Sequence, residues 1–313
     1  MAHLLCEEMF TEESQHADIL LKGIPFDNAC SVGKGAALAP ELMRSFWCAL
    51  PAVTETGIKI KNLKIFDEGD FEPDLNWERY FKTVQVGARE LFNTNKFCVF
   101  MGGDHSVSIP LINAFCDFNA GKKIGVIHFD AHLDITIEYE GHPWSHACTE
   151  RRVLENKNMS PGGLTFVGIR SYLEEELDFL AGNPGIRVIG AHEVYKKGIE
   201  YTLNILRERY KDFDAVYVTI DIDVLDPAYA PGTGTPEGGG LTTREMMELI
   251  RDIIAELPVK AMDIVEVSPP LDTRNNVTTW AALKILWEAF GVLDLKKLKK
   301  EYIDISSKCR FED

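Results

Sequence analysis

Short, continuously apolar runs recur along the chain and are separated by longer stretches with the helical repeat. Most of these runs have hydrophobic residues at consecutive positions rather than at alternate ones, which is typical of strands buried on both faces of a sheet. We predict eight strands, at Ala17–Gly23, Leu63–Phe66, Phe97–Met101, Ile124–Phe129, Leu164–Ile169, Arg187–Gly190, Ala215–Ile220 and Ala261–Val267.

Helices are predicted between the strands, at Leu75–Phe92, Tyr201–Tyr210, Thr243–Glu256 and Thr278–Phe290. Thr242, followed three residues later by Glu245, forms a capping box that begins the third of these helices. The alternation of strands and helices predicts an α/β fold with three layers, in which a mostly parallel sheet of about eight strands lies between helices. Because no linker, repeat or low-complexity segment divides the chain, we expect residues 1–313 to form one domain.

The composition is that of a folded, acidic protein. Hydrophobic residues make up 45% and charged residues 26% of the chain, which excludes a disordered protein. The formal net charge of −16 disfavours nucleic acid or an anionic membrane surface as the main partner. With no secretory pattern at the N-terminus, no apolar run long enough to cross a bilayer and seven scattered cysteines, we expect a cytoplasmic protein with reduced thiols.

Four of the predicted strands are followed directly by polar residues that can bind a ligand or take part in catalysis. These segments are Gly102-Gly103-Asp104-His105-Ser106, Asp130-Ala131-His132-Leu133-Asp134, Asp221-Ile222-Asp223 and Glu266-Val267-Ser268. In a parallel α/β sheet, ligands bind beyond the carboxyl ends of the strands. We therefore expect the functional site to lie there.

The two aspartate-rich segments have the pattern of a metal site. If the backbone of residues 130–134 is extended, its two carboxylates and its imidazole point to one side, and residues 221–223 add two further carboxylates. Several like charges at the end of a buried strand are costly unless a cation lies among them. Either segment alone could cap a helix or face solvent, but both together with His105 favour metal binding.

The donor types indicate which metal would bind. Four carboxylates and two imidazoles, without a thiolate, suit Mn²⁺ better than a structural Zn²⁺, and Co²⁺ or Ni²⁺ can share such ligands. Six protein ligands are too many for one catalytic ion with an open position, and they suit two ions that share carboxylates. Such a site favours a small, positively charged substrate.

These segments resemble the signature motifs of the ureohydrolases, the family of arginase, agmatinase, guanidinobutyrase and formimidoylglutamase. The resemblance rests on Gly-Gly-Asp-His-Ser, His-Phe-Asp-Ala-His-Leu-Asp, Asp-Ile-Asp-Val-Leu-Asp-Pro and Glu-Val-Ser-Pro-Pro, which occur in family order, and it covers most of the chain. It implies a three-layer α/β fold, two Mn²⁺ per chain, hydrolysis of a guanidino C–N bond that releases urea, and a homotrimer or homohexamer.

By position, the resemblance assigns six metal ligands, two of which, Asp130 and Asp221, would bridge the ions. It also makes Asp134 the group that passes a proton to the leaving amine. The six ligands are His105, Asp130, His132, Asp134, Asp221 and Asp223.

Two further site residues follow from the resemblance. Glu266 matches the glutamate that binds the guanidinium group, and His146 matches the histidine that shuttles protons near the substrate. His142, in the same loop, is the alternative to His146. We expect His128 to support the ligands rather than bind metal, and Cys148 to lie in the pocket wall.

The loop 135–145 carries the substrate prediction. The polar side chains with which arginases hold an amino-acid carboxylate are missing, and Glu138 and Glu140 add negative charge. We predict that these glutamates bind the distal amine of agmatine, whose hydrolysis to putrescine and urea serves polyamine biosynthesis.

Other activities compete with this prediction. A guanidinobutyrase or another guanidino-acid hydrolase is the alternative if Arg151 or Arg152 meets a carboxylate tail, and arginase or formimidoylglutamase activity ranks below it. Outside the class, the alternatives are a metal-dependent deacetylase with one zinc ion and a non-catalytic subunit.

Overall fold

The computed structural model describes residues 9–299, and within them eight strands form, each coinciding with a predicted run to within a few residues. The second strand, Ile65–Asp70, continues beyond its predicted end into polar residues, because it lies at the edge of the sheet where side chains stay partly exposed. The strands are β1 (Ile19–Gly23), β2 (Ile65–Asp70), β3 (Phe97–Met101), β4 (Ile124–Phe129), β5 (Leu164–Ile169), β6 (Arg187–Gly190), β7 (Ala215–Asp221) and β8 (Val259–Val265).

The strands form one sheet in the order β2-β1-β3-β8-β7-β4-β5-β6, and every pairing is parallel. The predicted parallel α/β sheet is therefore confirmed. The four strands that precede the polar segments, β3, β8, β7 and β4, are consecutive neighbours at the centre of the sheet. Their carboxyl ends therefore share one edge.

Nine α-helices lie within the described residues. Four of them correspond to predicted helices: α2 (Trp77–Asn93), α7 (Ile199–Tyr210), α8 (Thr243–Glu256) and α9 (Val277–Lys297). α8 begins at the predicted capping box, where Thr242 Oγ1 accepts the N–H of Glu245 at 3.1 Å and the Glu245 carboxylate accepts the N–H of Thr242 at 2.7 Å. The helices are α1 (Ala39–Phe46), α2 (Trp77–Asn93), α3 (Ser108–Phe118), α4 (Thr149–Leu154), α5 (Glu174–Gly182), α6 (Ala191–Lys197), α7 (Ile199–Tyr210), α8 (Thr243–Glu256) and α9 (Val277–Lys297).

The sheet separates two apolar layers. On β3, Val99 and Met101 pack in the layer that contains the buried faces of α8 and α9, whereas Cys98 and Phe100 pack in the layer that contains those of α2 and α3. Alternate residues of a strand point to opposite faces, so a continuously apolar strand fills both layers. α3 was not predicted because it is buried almost all round and has no polar face to reveal the helical period.

Two sequence-based expectations about the whole chain can be compared with the described part. No helix in residues 9–299 is long and apolar enough to cross a membrane. The five cysteines in this range are free thiols, and Cys6 and Cys309 lie outside the described residues.

Candidate metal centre and substrate cavity

The four polar segments meet at the carboxyl edge of β3, β8, β7 and β4. The segment after β3 turns sharply beneath the backbone of Phe26, whose carbonyl oxygen accepts the N–H of Asp104 at 2.8 Å. A Cβ atom on Gly103 would lie 1.6 Å from that oxygen, so only glycine fits here. This turn delivers His105 to the centre of the edge.

His105 is fully buried, and its Nδ1 atom faces three carboxylates. The Oδ2 atoms of Asp130, Asp134 and Asp221 lie 2.9, 3.2 and 3.2 Å from Nδ1, but none of these contacts has the geometry of a hydrogen bond. We call these four residues the His105 group. A buried nitrogen without a hydrogen bond among three carboxylate oxygens is the arrangement expected of a cation site.

The opposite nitrogen of His105 determines which tautomer this arrangement favours. Nε2 lies 2.9 Å from Thr219 Oγ1, and the Thr219 hydroxyl donates to Asp263 Oδ1 at 2.6 Å. Because the hydroxyl proton is used toward Asp263, the Thr219 oxygen is left to accept the Nε2–H of His105. The neutral ring then has its lone pair on Nδ1, facing the carboxylates, as a metal ligand requires.

Asp263 anchors this relay from inside the sheet. It is completely buried on β8 and accepts two further hydroxyls, from Ser108 at 2.8 Å and Tyr217 at 2.9 Å. Burial raises the pKa of Asp263, and the hydroxyl donors oppose that rise. Sequence reasoning missed Thr219 and Asp263, although a polar residue between apolar neighbours in each of these two strands is a readable signal.

A second cluster, the His132 group, shares Asp130 with the first. His132 Nδ1 lies 3.1 Å from Asp223 Oδ2 and 3.3 Å from Asp130 Oδ1. His132, Asp130 and Asp223 are close enough to hold one ion, as are members of the His105 group. Asp130 therefore lies between two candidate ion positions.

The extended backbone expected at residues 130–134 is wrong. β4 ends at Phe129, and Asp134 adopts a left-handed conformation with φ of 52°. Asp223 likewise lies in a 3₁₀ turn after β7 rather than on an extended strand. The side chains converge because these bends turn them inward, not because alternate residues share one face.

Glu266 also has a left-handed backbone, with φ of 60° directly after β8. Non-glycine residues adopt this conformation at a cost of about 1–3 kcal/mol, and they cluster at functional sites. The prediction that this strand continues to Val267 fails for the same reason, since the chain turns at Glu266. Asp134 and Glu266 are thus two site residues held in a strained conformation.

His128 lies beside the cluster and is held at both nitrogens. Nε2 lies 2.9 Å from Asp130 Oδ2, and Nδ1 lies 3.0 Å from Oε1 of the fully buried Glu150. Burial disfavours the charged ring, but the two carboxylates raise the pKa of His128 to about 9. A ring that donates from both nitrogens has no lone pair for a metal ion, so His128 supports Asp130.

The electrostatics of the cluster favour added positive charge. Burial, together with the charges of Asp223 and Asp130, raises the pKa of Asp221 well above its ordinary value. Burial and the charge of Asp130 also raise the pKa of Asp223. Carboxylates that repel one another in a buried site are stabilised by a cation placed among them.

His146 and Glu266 form a pair next to this cluster. His146 Nδ1 lies 3.1 Å from Glu266 Oε1, which also accepts the backbone N–H of His105 at 2.9 Å. His146 Nε2 lies 3.0 Å from the hydroxyl oxygen of Ser31. Burial lowers the pKa of His146, but Glu266 outweighs it and raises this pKa to about 9.

The alternative histidine lies elsewhere. His142 packs against Trp77 with ring centroids 4.3 Å apart, and its Nδ1 accepts the N–H of Trp144 at 3.2 Å. It does not line the cavity described below, whereas His146 does. Of the two histidines, His146 is therefore the one that a molecule in this cavity would contact.

A cavity of about 200 Å³ opens onto the cluster from solvent. Sequence reasoning named four of the lining residues and missed the others, which come from loops far apart in the chain. The lining residues are Ser31, His132, Asp134, Tyr139, His146, Ala147, Ser171, Tyr172, Leu173, Glu176, Asp221 and Thr235.

The structure does not bring Glu138 and Glu140 to this cavity. Tyr139 pairs with His142 across a tight hairpin, and Glu140 and Gly141 form its tip with φ of 51° and 78°. Because Tyr139 points into the cavity, the side chains on either side of it point outward, and both glutamates are exposed. The substrate-binding role predicted for them is therefore not supported.

A different carboxylate occupies the cavity wall. Glu176, in the first turn of α5, is almost completely buried and accepts the backbone N–H groups of Leu173 at 2.9 Å and Ile135 at 3.3 Å. Burial raises the pKa of Glu176 to about 7, and the charge of Asp134 acts in the same direction. It belongs to a run of three glutamates, and the sequence did not indicate which of them is buried.

Four other predicted neighbours of the substrate lie outside the cavity lining, and the first of them is Glu266. Cys148 is fully buried 3.1 Å from Thr136 Oγ1, so it is not in the pocket wall as expected. Arg151 stacks on the ring of Phe179, with 4.2 Å to its centroid. Arg152 pairs with Glu155 at 2.9 Å.

Comparisons with known proteins agree with this geometry. The model of the arginase family matches residues 17–291. The agmatinase of Bacillus subtilis is 36% identical over 279 residues, which cover 88% of this chain and 92% of the relative. The guanidinobutyrase of Pseudomonas aeruginosa is 32% identical, with 88% and 86% covered. The crystal structure of the agmatine ureohydrolase of Thermoplasma volcanium superposes with a TM-score of 0.81 at 29% identity, covering 92% of this chain and 94% of that one.

Proposed function

The chain belongs to the arginase family, and on this basis we propose that it is a binuclear manganese amidinohydrolase that converts agmatine to putrescine and urea. The charge of the cavity supports this substrate. Within residues 9–299, Glu176 is the carboxylate of the cavity lining that is left once Asp134 and Asp221 are assigned to the ions, and no lysine or arginine lines the cavity. Such a wall favours a substrate that is positive at both ends, and agmatine carries a guanidinium at one end and an ammonium at the other.

The donor set fits two manganese ions. The His105 group offers one imidazole nitrogen with a free lone pair and three carboxylates, and the His132 group offers a second imidazole and Asp223. Asp130 belongs to both groups and would help to hold each ion, and oxygen-rich sets of this kind without thiolates suit Mn²⁺. When bound, the ions would supply Lewis-acid activation of a water molecule at neutral pH.

The side chains around the ions would orient the substrate and move its protons. In the overall reaction, water adds to the guanidino carbon, the C–N bond to the alkyl chain breaks, and the amine nitrogen takes up a proton. Asp134 lies at the cavity floor, where its carboxylate can carry that proton to the leaving amine. Glu266, which is buried and lies outside the lining of the cavity, would bind the guanidinium group, and its Oε2 receives a weak thiol contact from Cys30 at 4.0 Å.

Glu176 would hold the other end of the substrate. Its carboxylate is fixed by two backbone N–H groups in the cavity wall, apart from the metal cluster. An ammonium tail that reaches this wall would form a charge-assisted hydrogen bond and favour the ionised carboxylate, whereas a carboxylate tail would be repelled. The same contact would distinguish agmatine from 4-guanidinobutyrate.

Urea release by the manganese-loaded protein tests the proposal directly. We expect agmatine to be hydrolysed with a higher kcat/KM than arginine or 4-guanidinobutyrate. Preference for 4-guanidinobutyrate would make the protein a guanidinobutyrase and refute the argument from the cavity charge. A protein that holds two metal ions per chain and releases urea from none of the three would refute the proposed function.

The role of Glu176 has a matched control in the same chain. Glu176→Gln should lower kcat/KM for agmatine by about 10- to 100-fold, because a hydrogen bond to a charged group contributes about 1.5–3 kcal/mol. Glu138→Gln, on the exposed side of the loop, should leave kcat/KM within about twofold. Equal effects of the two substitutions would show that Glu176 does not contact the substrate tail.

A cytoplasmic location and a homotrimer or homohexamer stay predictions. Sedimentation velocity of the manganese-loaded protein would measure the oligomeric state, and a monomer would contradict that prediction.

A further inference from the structure

A second cavity, of about 690 Å³, lies at the edge of the sheet opposite the metal cluster. Phe97 at the start of β3, Val259 at the start of β8 and Asp214 just before β7 line it, together with Lys296 in the last turn of α9. β7 and β8 each span seven residues, or roughly 20 Å at about 3.3 Å per residue. The proposed hydrolysis uses none of the residues at this amino edge.

Four lysines surround this cavity: Lys96, Lys122, Lys260 and Lys296. In the part of the chain that the structure describes, none of the four forms an ion pair. Three of them donate to neutral oxygens instead: Lys122 to Asn119 Oδ1 at 3.0 Å, Lys96 to the carbonyl oxygen of Gln15 at 3.2 Å and Lys296 to that of Ile254. Four ammonium groups without carboxylate partners are unexpected in a chain with a net charge of −16.

The charges at this edge favour a bound anion. Burial and the neighbouring charge of Lys260 lower the pKa of Lys296, so the two ammonium groups repel each other. The carboxylate in the lining, Asp214, is engaged by the backbone N–H of Lys123 at 2.8 Å and pairs with none of the four lysines. An anion placed among the lysines would relieve their repulsion.

The cavity is apolar as well as basic. Phe92 and Phe115 are buried beneath it with ring centroids 5.6 Å apart, and Phe97 and Phe118 are half-buried around them. The ammonium of Lys122 lies 5.7 Å from the centroid of the Phe118 ring. Aromatic walls of this kind contact a flat or aliphatic ligand body, and the volume lies in the range of small-molecule sites.

We propose that this cavity, with Lys96, Lys122, Lys260 and Lys296 above four phenylalanines, binds an organic anion that has an aromatic or aliphatic body and a carboxylate or phosphate group. The ammonium groups select the anionic end, since lysine binds phosphate and carboxylate as a point charge. The phenylalanines select the apolar body. A ligand without the anionic group would lose the contacts with the lysines, and a ligand without the apolar body would lose the contacts with the phenylalanines.

Calorimetric titration of the full-length, manganese-loaded protein tests this proposal with four probes. 1-Naphthyl phosphate and 1-naphthoate carry both parts of the ligand, 1-naphthol lacks the charge, and inorganic phosphate lacks the apolar body. We expect at least one naphthyl anion to bind at least about tenfold more tightly than naphthol and inorganic phosphate. The ratio of the two anions then distinguishes a phosphate ligand from a carboxylate.

Amino-acid substitutions test whether the anion binds in this cavity. The double variant Lys122→Gln/Lys260→Gln changes two exposed side chains and should weaken the naphthyl anion at least about tenfold. Lys59→Gln, at an exposed lysine outside the cavity, should leave the affinity unchanged. Equal affinity of the wild type and the double variant, or equal binding of naphthol, would overturn the proposal. Binding that survives in the double variant but is lost in Asp130→Asn would place the anion at the metal cluster and would overturn it too.

Discussion

Thr219 should control how tightly His105 binds metal, although it cannot contact an ion itself. The substitution Thr219→Val keeps the shape of the side chain and removes the oxygen that accepts the Nε2–H of His105 at 2.9 Å. The ring then no longer has a fixed tautomer, and Nδ1 carries its lone pair toward the carboxylates for only part of the time. Loss of such a supporting contact typically weakens metal binding by about 10- to 100-fold.

The same substitution should also destabilise the fold. It leaves the buried Nε2–H of His105 without an acceptor and removes one of the three hydroxyls that Asp263 accepts, while Ser108 and Tyr217 keep the other two. An unpaired buried donor costs about 1–3 kcal/mol and the lost charged hydrogen bond adds to it, so we expect the free energy of unfolding to fall by about 2–4 kcal/mol.

The matched control is Thr202→Val on α7. Thr202 is fully buried, and its hydroxyl has no hydrogen-bond partner among the described residues. Replacing an unpaired buried hydroxyl with a methyl group should be neutral or stabilising. The comparison therefore separates the loss of the relay from the general effect of a Thr-to-Val change in the interior.

Two measurements decide the outcome. Calorimetric titration with Mn²⁺ gives the affinity, and thermal unfolding of metal-free protein gives the stability. Heat is preferable to guanidinium chloride, because the guanidinium ion resembles the reactive group of the proposed substrate. If Thr219→Val binds Mn²⁺ as tightly as the wild type and melts like Thr202→Val, the relay does not orient His105 and the argument fails.

Three further substitutions address the shared ligand, the proton carrier and a buried ion pair. Asp130→Asn should lose manganese and urea release together, and a variant that keeps two ions per chain with full turnover would contradict the ligand assignment. His146 has a pKa raised to about 9 in the fold from about 6.5 in the unfolded chain, so its pairing stabilises fully below about pH 6.5 and this stabilisation is lost as the pH rises through 9. The melting temperature of the metal-free protein should therefore fall less steeply between about pH 7 and 10 in His146→Asn than in the wild type, and parallel curves would refute this. Arg251→Met removes a cation 3.1 Å from the buried Glu288, which keeps Lys284 at 3.0 Å, and should cost up to about 3–5 kcal/mol by thermal unfolding. Arg79→Met, at an exposed ion pair, should leave the melting curve unchanged, and an equal loss at both sites would sink the argument from burial.

Much of the fold could be predicted from the sequence because each strand is specified by the few residues that form it. A run such as Phe97–Met101 is apolar at every position, so it must be buried on both faces wherever it lies in the sheet. The capping box at Thr242 and Glu245 likewise involves residues only three apart. The prediction of edge strand β2 was less complete, because polar residues can extend this strand only where it has a neighbour on one side.

The candidate ligands could be named from the sequence, but the way in which they converge could not. The expectation of an extended backbone at residues 130–134 was wrong because Asp134 adopts a left-handed conformation that its residue type disfavours. Such a conformation is imposed by surrounding contacts, among them the N–H of Glu150, which donates to the Asp134 carbonyl at 2.9 Å.

The residues that form the wall of the substrate cavity could not be predicted from the sequence. Glu138 and Glu140 were chosen because they lie near the ligands along the chain, yet the hairpin at Tyr139 turns them to solvent. Glu176 reaches the cavity from the first turn of α5, where the amides of Leu173 and Ile135 hold it. Closeness in sequence therefore did not indicate closeness in space.

By itself, the sequence determined the strands, the chemistry of the donors and the edge of the sheet at which they would be found, because each of these depends on residue types at short spacing. Only the tertiary structure decided that β3, β8, β7 and β4 are consecutive, that Thr219 and Asp263 support His105, and that Glu176 rather than Glu138 lines the cavity. These features depend on the order in which strands pair and on how loops pack over the sheet edge. That order is set by the burial of both faces of the whole sheet, which no local pattern contains.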